Sequence, residues 1–198
     1  MFRRTAAAVR APRRLAVALF CMYAAVAAPS PPNLAADPAS WHVVNDGVMG
    51  GVSTSRVSGT FDALRFAGEI SLANNGGFAS MRRPFDAAAL GTDAAGFALQ
   101  LRGDGNRYRL RVYTRDPASR GENGYSHYAS FDTRAGEVSA VQLRWPQFSS
   151  SFRGRVVDAP PLRFADVIGI GVMITKDDHR DGRGPFTLEL LSIEPLAP

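Results

Sequence analysis

The sequence predicts an all-β protein, a jelly-roll β-sandwich, on three observations. Short runs rich in β-branched and aromatic residues recur at intervals of about 8 to 15 residues. Gly, Pro and Asn turn chemistry fills the gaps between them, and only 86–90 reads as helical, briefly. Many short strands with almost no helix are the pattern of a closed or two-sheet β architecture.

In order, 41–44 offers Trp41 and two valines ahead of the Asn45-Asp46-Gly47 turn, and 52–57 alternates Val52, Thr54 and Arg56 against Ser53, Ser55 and Val57, so that Val52 begins a strand. The runs 65–72 and 77–82 flank Asn74-Asn75-Gly76-Gly77. The runs 97–102 and 107–113 flank Gly103-Asp104-Gly105-Asn106. In the latter, Tyr108, Leu110 and Val112 share one face and Arg107, Arg109 and Arg111 the other, so one side is core. The series closes with 125–132, 140–145, 167–174 after Pro160-Pro161, and 186–193 after Asp181-Gly182.

Charge and composition bound the rest. Five of the 23 basic residues precede the first acidic residue, Asp37, and the remaining 18 match the 18 acidic ones, so the high pI belongs to the leader. A neutral domain lacks the basic stripe that neutralising a phosphate backbone requires, which argues against nucleic acid. The leader, 1–28, runs from an Arg-rich segment through LAVALFCMYAAVAA to Ala25-Val26-Ala27, the grammar of an export signal. Mitochondrial or other organelle import is the alternative, and a membrane is expected only through this segment if it stays uncleaved. Cys21, the single cysteine, lies inside the leader, leaving the mature protein without disulfide, thiol nucleophile or Cys-based metal site. Residues 29–40, rich in Pro and Ala, read as a flexible linker, and 41–198 as one domain.

The stretch NDGVMGGVSTS at 45–55 has the glycines of a phosphate cradle, but a strand follows it where a helix is required, and it holds no Lys. It reads either as a structural loop or as a binding lip on which Asp46, Met49 and Ser53 are presented and Gly50 and Gly51 supply unusual backbone angles. Asn75 caps a turn or binds a ligand. Arg82, with Arg107, Arg109 and Arg111, forms either an anion-binding face or a solvated face laced with Asp and Glu; alternation turns Tyr108 and Tyr113 away from the Arg side, which defeats a base-stacking platform. DDHRDG at 177–182 echoes a calcium loop only faintly, since Leu188 stands where a bidentate Glu is needed, and reads as a charged hairpin tip. His42, His127 and His179 are scattered, with no G-x-S-x-G, so no catalytic residue, metal site or cofactor is assigned, and His127 reads as a satisfied, half-buried histidine.

NDGVMGGVSTS, FAGEISLANNGGFASMR at 66–82, RGDGNRYRLRVYTR at 102–115, FRGR at 152–155 and GPFTLELLSI at 184–193 follow one another in this order. Together they resemble the complex I intermediate-associated protein 30 family, from residue 41 to the C-terminus. The resemblance implies a galactose-binding-like β-sandwich and a non-catalytic protein-binding role, chaperone-like, in assembling respiratory complex I. Its alternative is an exported glycan-binding module with a saccharide ligand. Trp41 and Trp145, both read as lying in core strands, leave such a module without a free Trp platform.

Overall fold

The computed structural model describes residues 31–198, apart from 60–61, 91–92 and 120–123. The leader reading falls outside these residues. Twelve strands among them form two antiparallel sheets. They are β1 (His42–Val43), β2 (Thr54–Gly59), β3 (Leu64–Ile70), β4 (Phe78–Pro84), β5 (Gly96–Arg102), β6 (Arg107–Thr114), β7 (Ser126–Asp132), β8 (Val138–Arg144), β9 (Ser149–Phe152), β10 (Arg155–Val156), β11 (Val167–Thr175) and β12 (Gly184–Leu196). The seven-stranded sheet has the order β1-β4-β11-β6-β7-β9-β10 and the five-stranded sheet the order β2-β3-β12-β5-β8. The predicted β-sandwich is the observed fold.

Alternation builds the core between the sheets. In β6 the side chains of Tyr108, Leu110 and Val112 are buried, while Arg107, Arg109 and Arg111 face outward. Met81, Ile170, Val172 and Ile174 extend this apolar layer across the seven-stranded sheet; Phe66, Leu99, Leu188 and Leu190 meet it from the five-stranded sheet in one continuous cluster. Each such fully buried side chain contributes about 1.5–3 kcal/mol relative to exposure.

The ten predicted strands are all present, with ends shifted by a few residues. The second begins at Thr54, not Val52, because the Ser53 N–H is taken by Asp46 of the preceding loop. The brief helix is a 3-10 turn, Ala87–Leu90. Trp145 lies in a 3-10 turn after β8, with Phe97, Phe148 and Phe164 around it, while Trp41 is buried beside β1. Two strands, β9 and β10, were not expected from the sequence.

The flexible-linker reading of 29–40 fails over 33–40. Leu34 and Ala35 are buried, and the Trp41 indole N–H donates to the Leu34 carbonyl. Asn33 clamps β12: its Nδ2 donates to the Leu191 carbonyl at 3.0 Å and its Oδ1 accepts from the Ile193 N–H at 3.1 Å. The register of β12 against β5 shifts between Leu190 and Ser192, and Asn33 supplies partners where that bulge interrupts the ladder.

Candidate functional site

The loop before β2 is built around one carboxylate. Asp46 opens a 3-10 turn, Asp46–Met49, and is 1% exposed. It accepts hydrogen bonds from the Ser53 N–H at 2.9 Å, the Ser53 hydroxyl, the Gly77 N–H at 2.7 Å and the Phe78 N–H at 3.3 Å. Burial alone would raise its pKa, but these donors outweigh it and hold the carboxyl below its ordinary value. A Cβ on Gly51 would lie 2.4 Å from the Asp46 carboxyl carbon and one on Gly76 2.6 Å from its Oδ2, so both glycines make room for this carboxylate. Gly50 ends the turn at φ 88, a left-handed conformation. Asp46 and Ser53 are therefore internal struts and are not presented on a lip, because a carboxylate satisfied by four donors from two other chain segments is fixed inward. What the struts present is Val48 and Met49, 59% and 68% exposed.

This loop overhangs a cleft of ≈ 320 Å³ on the outer face of the seven-stranded sheet. The cleft is lined by Val44, Val48 and Met49 from the loop side, by Arg82, Arg109, Arg111, Tyr128 and Met173 from the sheet, and by Phe152 at the end of β9 with Arg153 after it. One row across the sheet sets its chemistry. Arg82 on β4 and Arg111 on β6 both pair with Gly171 of β11, and Tyr128 of β7 pairs with Arg111. Gly171 and Gly169 leave space that the Tyr113 ring covers, with its Cε2 3.4 Å from where a Gly171 Cβ would stand. The Arg82 and Arg111 guanidinium carbons lie 5.1 and 5.4 Å from the centroid of that ring, and Arg109 lies 5.3 Å from the Tyr128 centroid. Tyr113 thus stands on the Arg side, contrary to expectation: as residue 113 it shares the parity of 107, 109 and 111, and only Tyr108 turns to the core.

The four arginines differ in how their charge is met. Arg107 is exposed, pairs with Asp132 at 2.8 Å and lies outside the cleft lining. Arg109 pairs with buried Asp178, Nε to Oδ2 2.8 Å, and Asp178 also accepts from Thr175. Arg111 donates to the Ser126 hydroxyl from Nε and Nη2 and to the Met173 sulfur from Nη1, all neutral partners. Burial, with Arg82 and Arg109 adding repulsion, lowers its pKa, although a guanidinium remains charged. Arg82 has a buried Nε with no acceptor.

Asn75, at φ 59 in an exposed turn, is outside the cleft, which leaves its turn reading. The 177–182 hairpin is more than a charged tip, since Asp178 and His179 are buried and His179 bonds the Pro185 carbonyl and the Asp181 N–H. His127 is buried rather than half-buried and only partly satisfied: Nδ1 meets the Ser150 hydroxyl at 2.9 Å, and Nε2 has no partner. Among the described residues no group of three or more His, Cys, Asp or Glu is placed to hold a metal ion. Sequence reasoning brought Met49, Arg82, Arg109 and Arg111 to the cleft; it missed Val48, Tyr128, Met173 and Phe152, which only strand pairing assembles.

The family model for complex I intermediate-associated protein 30 matches residues 31–190. No curated protein matches the sequence. Among solved structures, the chain is similar in fold to the family 11 carbohydrate-binding module of the cellulosomal cellulase Lic26A-Cel5E of Clostridium thermocellum, with a TM-score of 0.61 at 9% identity over 87% of this chain and 97% of that one. It is likewise similar to a family 11 module from Clostridium thermocellum in complex with a β-1,3-1,4-mixed-linked tetrasaccharide, with a TM-score of 0.58 at 10% identity over 80% of this chain and 89% of that one.

Proposed function

Because the chain belongs to the complex I intermediate-associated protein 30 family, we propose that it is a non-catalytic, protein-binding assembly factor whose partner docks in the cleft under the 46–53 loop. The observation that carries this is the pairing of a rigid support with an exposed apolar tip. Asp46 pins the loop with four hydrogen bonds, while Val48 and Met49 stand in solvent at the mouth of the cleft. A loop fixed in this way loses little freedom on binding, and a thioether contact adapts to an irregular protein surface. Membrane subunits of respiratory complex I are the partners this reading names. The leader would deliver the domain by export, with organelle import as the alternative.

A glycan-binding module is the second reading, prompted by the fold it shares with carbohydrate-binding modules. The side chains weigh against it. Guanidinium groups stack on Tyr113 and Tyr128, and both tryptophans pack into the core region, so a sugar ring finds neither tryptophan nor either of these tyrosine rings free.

Photo-crosslinking tests the proposal. A benzophenone side chain replacing Met49 in the full chain is expected to capture respiratory-complex subunits, whereas the same group at Val138, exposed on the other sheet, is not. Met49→Ser is expected to leave the melting temperature within about 2 °C, since an exposed side chain adds little burial, while lowering the amount of assembled complex I on native gels. Equal capture at both positions, or normal complex I in cells lacking the protein, would count against the reading.

A further inference from the structure

We propose that the cleft recognises an acidic segment of the partner protein, a carboxylate seated on Arg82 and Arg111 beside an apolar side chain held against Val48 and Met49. This rests on the reading of the cleft as the protein-binding face and names the chemistry it selects.

The cleft holds unmatched charge. Arg107 and Arg109 have carboxylates of their own in Asp132 and Asp178. Among the described residues no ion pair engages Arg82 or Arg111, and no acidic side chain lines the cleft. The donors of Arg111 end on a hydroxyl and a thioether, and the Nε of Arg82 is buried without a partner. Two cations held close together, partly out of water, around one aromatic ring are unfavourable until an anion arrives, and a carboxylate is the planar acceptor that a guanidinium fork fits. The pairing of both with Gly171 fixes their spacing: they stand on strands either side of β11, about 10 Å apart at the backbone. Their long side chains converge over Tyr113, which keeps both guanidinium planes oriented before any ligand binds. Beside this charge stand the apolar Val44, Phe78, Phe152 and Met173, and among the described residues no Asn or Gln lines the cleft to read sugar hydroxyls. Charge complementarity and an apolar flank together select an acidic-apolar peptide segment.

The test is a random dodecapeptide array probed with the full chain, its Arg82→Gln/Arg111→Gln variant and its Arg107→Gln variant. Bound peptides are expected to be enriched in Asp or Glu adjacent to Leu, Ile, Met or Phe. The double variant should bind the best of them at least about tenfold more weakly, a loss expected when charge-assisted hydrogen bonds are removed, and Arg107→Gln should bind as the parent does. Circular-dichroism melts of each variant separate lost binding from lost folding, and an Arg82→Lys/Arg111→Lys variant that retains part of the affinity serves if the glutamines do not fold. Peptides bound with no acidic enrichment, but lost on Met49→Ser, would overturn the carboxylate inference and leave the protein-binding reading standing. Binding of oligogalacturonate or inorganic phosphate with no peptide bound would overturn both.

Discussion

At the scale of single residues, Asp46 shows how a functional reading and an architectural one divide within a few positions. From sequence, Asp46, Met49 and Ser53 are equivalent polar or adaptable side chains in a glycine-rich loop. Nothing local reveals that Asp46 receives donors from Gly77 and Phe78, 31 and 32 residues away. The glycines were legible as special, but the reason for Gly51 is the volume of Asp46 rather than its own φ. The consequence for stability is signed. The carboxyl is held below its ordinary value of 3.8, so the unfolded chain takes up this proton before the folded one as pH falls. The contribution is complete above that value and is lost as pH drops through it towards the folded pKa. Asp46→Asn, which keeps the shape but trades two acceptors for one and adds a donor facing donors, should cost about 1–3 kcal/mol at pH 7. The deficit in melting temperature against the parent should shrink below about pH 4, and thermal melts from pH 7 to pH 3 measure it. A constant deficit across that range would show that the Asp46 carboxyl titrates alike in the folded and unfolded chain.

At the scale of elements, strands with alternating apolar residues were readable and those without were not. β6 and β11 declare themselves by Leu, Val and Ile at period two. β9 is Ser149-Ser150-Ser151-Phe152, and its extended form comes from pairing with Ser126 to Tyr128 of β7, a tertiary fact. The segment before Trp41 was misread for the converse reason: Pro and Ala suggest a solvated linker, yet one Asn supplies two hydrogen bonds to β12 and one Leu is buried. Asn33→Ala removes both partners where the β12 ladder is interrupted, and should cost about 1–3 kcal/mol, or about 2–10 °C in melting temperature for a domain of this size. A chain carrying Asn33→Ala that melts with the parent would show that the segment merely rests on the sandwich.

At the scale of the whole molecule, the fold was legible because its two layers follow from patterning, whereas the cleft was legible only in part. The comb of arginines is visible in RYRLRVY, but which arginine is paired depends on Asp178 in the turn after β11 and Asp132 at the end of β7, and the mouth of the cleft depends on a loop at 46–53 meeting strands from β4 to β11. A single core cluster spans both sheets, with Leu34 and Trp41 at one margin and Trp145 packed against it. Unfolding in urea should therefore be one cooperative transition, and tryptophan fluorescence, which reports Trp41 and Trp145, should coincide with far-ultraviolet circular dichroism. Two separated midpoints would mean that one margin opens independently.

The strand order has a further consequence, for the protein as it is being made. The two strands that join the halves of each sheet come last in the chain: β11 sits between β4 and β6, and β12 between β3 and β5. Until the ribosome has released both, one sheet is two fragments, β1-β4 and β6-β7-β9-β10, and the other is β2-β3 and β5-β8, each with open edges and no layer to cover it. The nascent chain therefore cannot complete either sheet from its N-terminus as it emerges; folding waits for β11 and β12. On the export reading of residues 1–28 this delay is useful, since a polypeptide that stays unfolded until its final strands appear is still threadable when the translocation machinery meets it.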